Sequence, residues 1–346
     1  MEVSELKTSQ KLLEVRNLKK YFPIEKGLFK KVVGYVKAVD GISFDLFEGE
    51  TLALVGESGC GKTTTARCIL RAIDPTEGEI LLNVDGKMVD VAKLSKKELK
   101  PLRRYMQLIF QNPYTSLNPR LKVKEIVGEP LLVNKIARGK ELEEKVAELL
   151  EAVGLRPEYM IRYPHAFSGG QRQRIVIARA LALRPKLVIC DEPVAALDVS
   201  IRAQILNLLM ELQEKFKLTY LFISHDLSVV QHVSDRVAVM YLGRIVELAR
   251  TEGLFNSPKH PYTESLLLSV PKPDPDAAGE LKPIEGEVPS PINPPPGCHF
   301  HPRCPYAEEI CRNAVPEFRN VGPEEVPHYV ACHFAEKLSL KSVRQL

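Results

Sequence analysis

The chain has 346 residues, of which 45% are hydrophobic and 27% charged, with 48 basic residues against 44 acidic ones. That is enough chain for one large domain plus a smaller one with an ordinary globular core, and the near-cancellation of charge gives no net pull toward nucleic acid or anionic lipid. No apolar run approaches the roughly 18 residues that a membrane-spanning helix needs, since even 175–183 is interrupted by Arg179.

Residues 1–10 include Glu2, Glu5 and Lys7 and lack the apolar centre of a secretory signal, so a reducing, cytoplasmic compartment is expected. Seven cysteines then read as metal ligands or small buried hydrophobes rather than disulfides. Cys60, Cys68 and Cys190 are isolated and read as packing residues, although Cys60 could be oxidant-sensitive. Segments 12–18 and 38–46 alternate apolar and polar residues at period two, as strands of an antiparallel sheet do. The basic stretch 19–31, broken by Pro23 and Gly27, reads as a loop; its adjacent Tyr21 and Phe22 could pack in the core or stack on a nucleotide base.

A short apolar run, 51–55, suits a buried parallel strand. It leads into Gly56-Glu57-Ser58-Gly59-Cys60-Gly61-Lys62-Thr63, which fits G-x-x-x-x-G-K-[ST]. Glycines at these places let successive N–H groups turn toward an anion, Lys62 can reach terminal phosphates, and the Thr63 hydroxyl can ligate Mg2+. The expected contacts are Gly56, Ser58, Gly59, Cys60, Gly61, Lys62, Thr63 and the adjoining Thr64, on the N-terminus of a helix over 63–72 that stops before Asp74-Pro75.

A hairpin over 79–90 turns at Asp85-Gly86, and a strand over 105–110 delivers Gln111 into a loop at Asn112-Pro113. Helices over 124–133 and 141–153, the second closed by Gly154, interrupt the strand-loop-helix alternation in the manner of an inserted helical subdomain. Ser168-Gly169-Gly170-Gln171 opens a helix to about residue 183. It is either a capping box alone or a second anion site of hydroxyl, side-chain-free glycines and helix N–H groups. The apolar strand 187–190 ends in Asp191-Glu192, where Asp191 suits a Mg2+ shell and Glu192 the orientation or deprotonation of an attacking water. The strand 220–223 ends in Ser224-His225-Asp226, where His225 could hydrogen-bond a terminal phosphate. Gly56, Asp191 and His225 thus lie at carboxyl ends of strands, where open parallel sheets bind ligands.

Prolines crowd 271–296, as in an extended, semi-rigid connector. Beyond it, Cys298, Cys304, Cys311 and Cys332 are spaced C-x5-C-x6-C-x20-C, which suggests metal thiolates. The spacing is wider than zinc prefers. An iron-sulfur cluster, a zinc site helped by His299, His301 or His333, and unliganded thiols all stay open.

Taken together these motifs resemble the nucleotide-binding subunit of an ATP-binding cassette (ABC) transporter, over about residues 11–255. The resemblance implies a P-loop NTPase (RecA-like) α/β core with an antiparallel β subdomain, an inserted α-helical subdomain at about 112–175, and a small C-terminal cysteine-rich appendage at 256–346. It makes Gly56 to Thr63 the Walker A loop, Gln111 the Q-loop and a further Mg2+ ligand, and Ser168, Gly169, Gly170 and Gln171 the signature. Asp191 and Glu192 become Walker B, Ala196-Leu197-Asp198 the D-loop, His225 the switch histidine, and Phe22 the base-stacking aromatic with Tyr21 as its alternative. Family likeness also implies a head-to-tail dimer in which Ser168 and Gly170 serve the partner's nucleotide and Asp198 communicates across the interface.

Phe110-Gln111-Asn112-Pro113-Tyr114, Tyr163-Pro164-His165-Ala166-Phe167 and His260-Pro261-Tyr262-Thr263 are similar to the dipeptide/oligopeptide permease ATPases, and Gln171-Arg172-Gln173-Arg174-Ile175 to their F-type member. This implies a D-type ATPase partner, two transmembrane permease subunits contacted near 112–118, and indirectly a solute-binding protein, on the cytoplasmic face of the membrane without direct nucleic-acid contact. In that family the tail, here Gly297-Cys298-His299-Phe300 and Arg303-Cys304-Pro305, implies a [4Fe-4S] cluster. The alternative is a soluble ABC-type ATPase acting on nucleic acid or ribosomes, whose usual second cassette, long coiled-coil insertion or zinc modules do not appear here.

Overall fold

The computed structural model describes residues 10–27, 31–269 and 286–342. β1 (Lys11–Lys26) and β2 (Lys31–Phe47) form a long antiparallel hairpin. β3 (Thr51–Val55) leaves this sheet, to which β4 (Glu77–Val84) and β5 (Lys87–Asp90) return, giving the antiparallel order β2-β1-β4-β5. The turn between β4 and β5 has positive φ at both Asp85 (50°) and Gly86 (88°), the geometry that two-residue hairpins prefer.

The stretch 19–31, expected as a loop, is strand as far as Lys26. β4 pairs with β1 only up to Lys19, so beyond it β1 has a single neighbour, and there Pro23 can sit opposite Tyr35 on β2. An edge position tolerates a residue that cannot donate to the ladder.

The second sheet collects β6 (Met106–Ile109), β7 (Leu187–Asp191), β8 (Thr219–Ser224), β9 (Arg236–Tyr241), β10 (Arg244–Arg250), β11 (Arg319–Asn320) and β12 (Tyr329–Val330) around β3. Its order is β11-β12-β10-β9-β3-β8-β7-β6, parallel from β9 to β6 and antiparallel beyond. All of β3 and β8 is buried, as befits parallel strands covered on both faces.

Alternation along these strands sorts the core into layers. Leu52, Leu54, Leu187, Ile189, Leu221 and Ile223 face the antiparallel sheet and the helix Lys62–Ile69. Val188, Cys190, Tyr220 and Phe222 face the other way, onto the helices Gly169–Leu181 and Val199–Phe216. That cluster runs on into the helices Val123–Val133 and Gly139–Ala152 through Val127, Val146 and Leu150. Toward the β9 end, Val55, Val237 and Val239 meet Tyr262 of the helix Pro261–Leu268 and Phe300.

The C-terminal segment is therefore sewn to the core. β12 pairs with β10, and the fully buried Glu247 of β10 accepts from the Lys259 and His260 amides (2.7 and 3.0 Å) while its Oε1 meets His328 Nε2 at 2.6 Å. The first half of the proline-rich connector, to residue 285, lies outside the described residues; Pro291, in its second half, accepts a hydrogen bond from the Lys37 amide at 3.2 Å.

Candidate functional site

The strands β3, β8, β7 and β6 lie side by side and parallel, so their carboxyl ends form one rim. In that order the rim carries Gly56, His225, Asp191-Glu192 and Gln111. The order explains the contacts. Glu192, on the strand between the other two, has its carboxylate held by Gln111 Nε2 at 2.7 Å on one side and 3.1 Å from His225 Nδ1 on the other. Its backbone is left-handed (φ 48°), uncommon for a residue with a side chain, and its amide donates to Ile223 O at 3.0 Å. This conformation turns Glu192 onto the rim at the end of the sheet.

Beneath it, Thr63 Oγ1 donates to Asp191 Oδ1 at 3.2 Å. Burial pushes the Asp191 carboxyl up, against the pull of the Thr63 hydroxyl and the Lys62 charge. A hydroxyl and a half-buried carboxylate meeting under a ring of phosphate-type groups are a hard, all-oxygen donor set of the kind Mg2+ takes alongside substrate phosphates.

The phosphate-loop residues are close-packed from outside. A Cβ on Gly56 (φ 147°) would stand 2.1 Å from Met240 O, and one on Gly61 (φ 113°) 2.1 Å from Ala38 O, so no other residue fits either place. Lys62, 6% exposed, donates through Nζ to Gly56 O (2.7 Å) and Glu57 O (3.0 Å). No side chain caps the start of the helix Lys62–Ile69, so its first N–H groups keep their partial positive charge for an anion. Cys60 is buried, and burial pushes its thiol up, away from the reactive thiolate.

Two expected pieces lie apart from this cluster: no hydrogen bond or ion pair among the described residues joins Ser168, Gly169, Gly170, Gln171 or Asp198 to the 56–63 loop. Ser168 and Gln171 form the capping box, with Gln171 N to Ser168 Oγ at 3.3 Å and Ser168 N to Gln171 Oε1 at 3.1 Å. Gly170 abuts Ile201, so the helix Gly169–Leu181 rests directly on the helix that Asp198 begins. On β1 the two aromatics diverge, as neighbours on a strand must. Tyr21 gives its hydroxyl to Asp40, which also takes Arg244 at 2.7 and 2.9 Å, whereas Phe22 is 38% exposed beneath Lys20.

The cysteine expectation is overturned. Cys298, Cys304, Cys311 and Cys332 do gather, around a cavity of only about 10 Å³ shared with Phe300 and Phe334, and all four are free thiols. Among the described residues no group of three or more His, Cys, Asp or Glu side chains is arranged to hold a metal ion, so neither the expected iron-sulfur cluster nor the zinc alternative is supported at this site. Burial also acts on these thiols. It pushes the Cys304 thiol up to about 12 and that of Cys332 to about 11.

Two features were missed from sequence. Asp226 caps the helix Leu227–Val233 and pairs with Arg202 Nη1 at 2.8 Å, tying the His225 strand end to the helix after Asp198. Glu57 is gripped by Arg303 and Tyr262 from the C-terminal region. A carboxylate inside an anion-binding loop was the available signal, since it calls for a counter-charge; its partner 246 positions away could not be read.

A family model described as "ABC transporter" matches residues 39–195, and one described as "Oligopeptide/dipeptide transporter, C-terminal region" matches 246–311. The chain is 55% identical over 325 residues to the oligopeptide transport ATP-binding protein AppF of Bacillus subtilis, covering 93% of this chain and 97% of that one. It is 49% identical over 326 residues to the dipeptide transport ATP-binding protein DppF of Escherichia coli, covering 94% and 96%. Among solved structures it resembles the ATP-binding cassette MJ0796 in a dimeric post-hydrolysis state bound to ADP and Pi. There the TM-score is 0.59 at 28% identity, over 69% of this chain and 99% of that one. The cbiO1 subunit of the cbiONQ ABC transporter complex from Clostridium perfringens gives the same score and identity, over 71% and 90%.

Proposed function

The chain belongs to the ABC transporter ATP-binding family, and from that premise we propose that it hydrolyses ATP for an importer of di- or oligopeptides as the F-type member of an ATPase pair. ATPase activity and the cassette fold come with the family. The peptide class is supported by the names of relatives about half identical along nearly the whole chain and by the match of residues 246–311. The partners would be a D-type ATPase, two transmembrane permease subunits and, beyond them, a solute-binding protein. No helix among the described residues is long and apolar enough to cross a membrane, which fits a peripheral subunit on the cytoplasmic face. The cassette would span 11–255, with its helical subdomain at about 112–175, and the permease-type extension 256–346.

The observation that carries the catalytic assignment is the Glu192 carboxylate clamped between Gln111 and His225 above the Thr63–Asp191 contact. Lys62 and the loop around Gly56, Ser58, Gly59, Cys60, Gly61, Thr63 and Thr64 bind the phosphates. Thr63 and Asp191, with Gln111 on the rim, would hold Mg2+, which when bound neutralises charge on the terminal phosphates. Glu192 orients the attacking water and takes its proton at Oε1 or Oε2; His225 then faces the terminal phosphate. Phe22 takes the base, as the more exposed of the two aromatic rings. Ser168, Gly169, Gly170, Gln171 and Asp198 act on the nucleotide of the partner ATPase, consistent with their separation from the loop of their own chain.

Glu192→Gln keeps size and can still accept from Gln111 but cannot take a proton. In the purified transporter, turnover is expected to fall by about 10²–10⁴-fold while ATP binding persists. Undiminished hydrolysis would overturn the assignment, and peptide-independent uptake in the reconstituted complex would overturn the substrate class.

A further inference from the structure

Glu57 is the one acidic residue in the loop Gly56-Glu57-Ser58-Gly59-Cys60-Gly61-Lys62-Thr63. A carboxylate there opposes binding of a polyphosphate unless its charge is cancelled. It is cancelled from the far end of the chain. Arg303 Nη1 and Nη2 donate to Glu57 Oε2 and Oε1 at 2.8 and 3.0 Å, a forked pair, and the Arg303 side chain is only 4% exposed. The guanidinium lies 5.9 Å from the ring centre of Tyr241 and 6.0 Å from that of Phe300, so the surrounding core fixes its direction. A second tie comes from Tyr262, whose hydroxyl accepts the Glu57 amide at 2.8 Å.

We propose that Arg303 is a positioning residue for nucleotide binding: it neutralises Glu57 and, with Tyr262, holds the first turn of the phosphate loop in its anion-accepting shape. Lys62 supplies the link. Its ammonium donates to the carbonyls of Gly56 and Glu57, so a rotation of the Glu57 peptide moves the anchor of the lysine that meets the phosphates. The planar fork matters as well as the charge, since a lysine can supply only a point charge to one oxygen. The C-terminal region thus acts on the ATP site through one ion pair and one hydrogen bond, both at Glu57.

This inference rests on the assignment of Gly56 to Thr63 as the phosphate loop, and the experiment separates the two. Binding of a fluorescent ATP analogue with Mg2+ is measured on the full chain for Arg303→Met, Glu57→Gln, the double variant and Lys62→Ala, with thermal unfolding as a check on folding. Arg303→Met is expected to weaken binding about tenfold or more, equivalent to about 1.4 kcal/mol. Adding Glu57→Gln should restore most of it, because the uncancelled charge is gone even though the tie to the C-terminal region is not rebuilt. A purely structural role predicts no such rescue, so a double variant as weak as Arg303→Met, or an Arg303→Met that binds like the native chain, overturns the proposal. Should Arg303→Met fail to fold, Glu57→Gln alone decides: unchanged or tighter binding supports the charge argument, and weaker binding refutes it. If Lys62→Ala leaves binding intact, the phosphate-loop assignment itself fails.

Discussion

His260 is 1% exposed, and its ring Nδ1 accepts the Tyr262 amide at 3.0 Å, capping the helix Pro261–Leu268. An Nδ1 that accepts cannot carry a proton, so the fold holds the neutral ring. Burial pulls its pKa from 6.5 down to about 4, against the opposing charge of Glu247 and a backbone hydrogen bond at Ala331. Because the folded value is depressed, the unfolded chain takes up the proton first as pH falls. The stability is therefore intact above about 6.5 and is lost progressively between there and about 4. At about 1.4 kcal/mol per pH unit, that interval is about 3 kcal/mol. Urea midpoints at several pH values between 7 and 4 should show this slope. His260→Asn, which keeps a capping acceptor without a titrating ring, should start less stable at pH 7 and flatten the profile by about one proton. If native chain and variant lose stability in parallel between pH 6.5 and 4, the reasoning is wrong.

Gly170→Ala would bring a Cβ to 2.5 Å from Ile201 Cγ2, a methyl fixed on a branched carbon that cannot swing aside. Urea denaturation should register a loss of about 1–3 kcal/mol, largely regained when Ile201→Ala is added. Asp226→Ala removes the cap on Ser228 and Val229 and the pair with Arg202, for about 1–2 kcal/mol by the same measurement at pH 7. Burial opposes the ionised Asp226, but Ser228, Val229 and Arg202 hold its carboxyl below the usual range. Its contribution is thus present at neutral pH and disappears as pH drops through that lowered value, so native chain and variant should converge in acid.

The rim that carries Gly56, Asp191, Glu192 and His225 was legible because each of these residues follows an apolar strand. The clamp on Glu192 was not, since it depends on β7 lying between β6 and β8, an order that the succession of strands along the chain does not reveal. Residues 19–26 were misjudged because Pro23 and basic side chains suggest a loop, yet an edge with one neighbour admits both. β11 and β12 have two residues each, too few to show any period. The cysteine spacing misled for another reason: it conveys proximity along the chain, whereas ligation depends on how the fold arranges the sulfurs about a common point.

The capping box at Ser168 has a consequence for what can approach that helix from outside. A serine hydroxyl has one proton and two lone pairs, and here the oxygen receives the Gln171 amide while its proton goes to no neighbour among the described residues. The hydroxyl has a hydrogen ready for an incoming oxygen before any second molecule arrives. Closing the helix and advertising a donor at its mouth are one arrangement, so a single change, Ser168→Ala, would cost both.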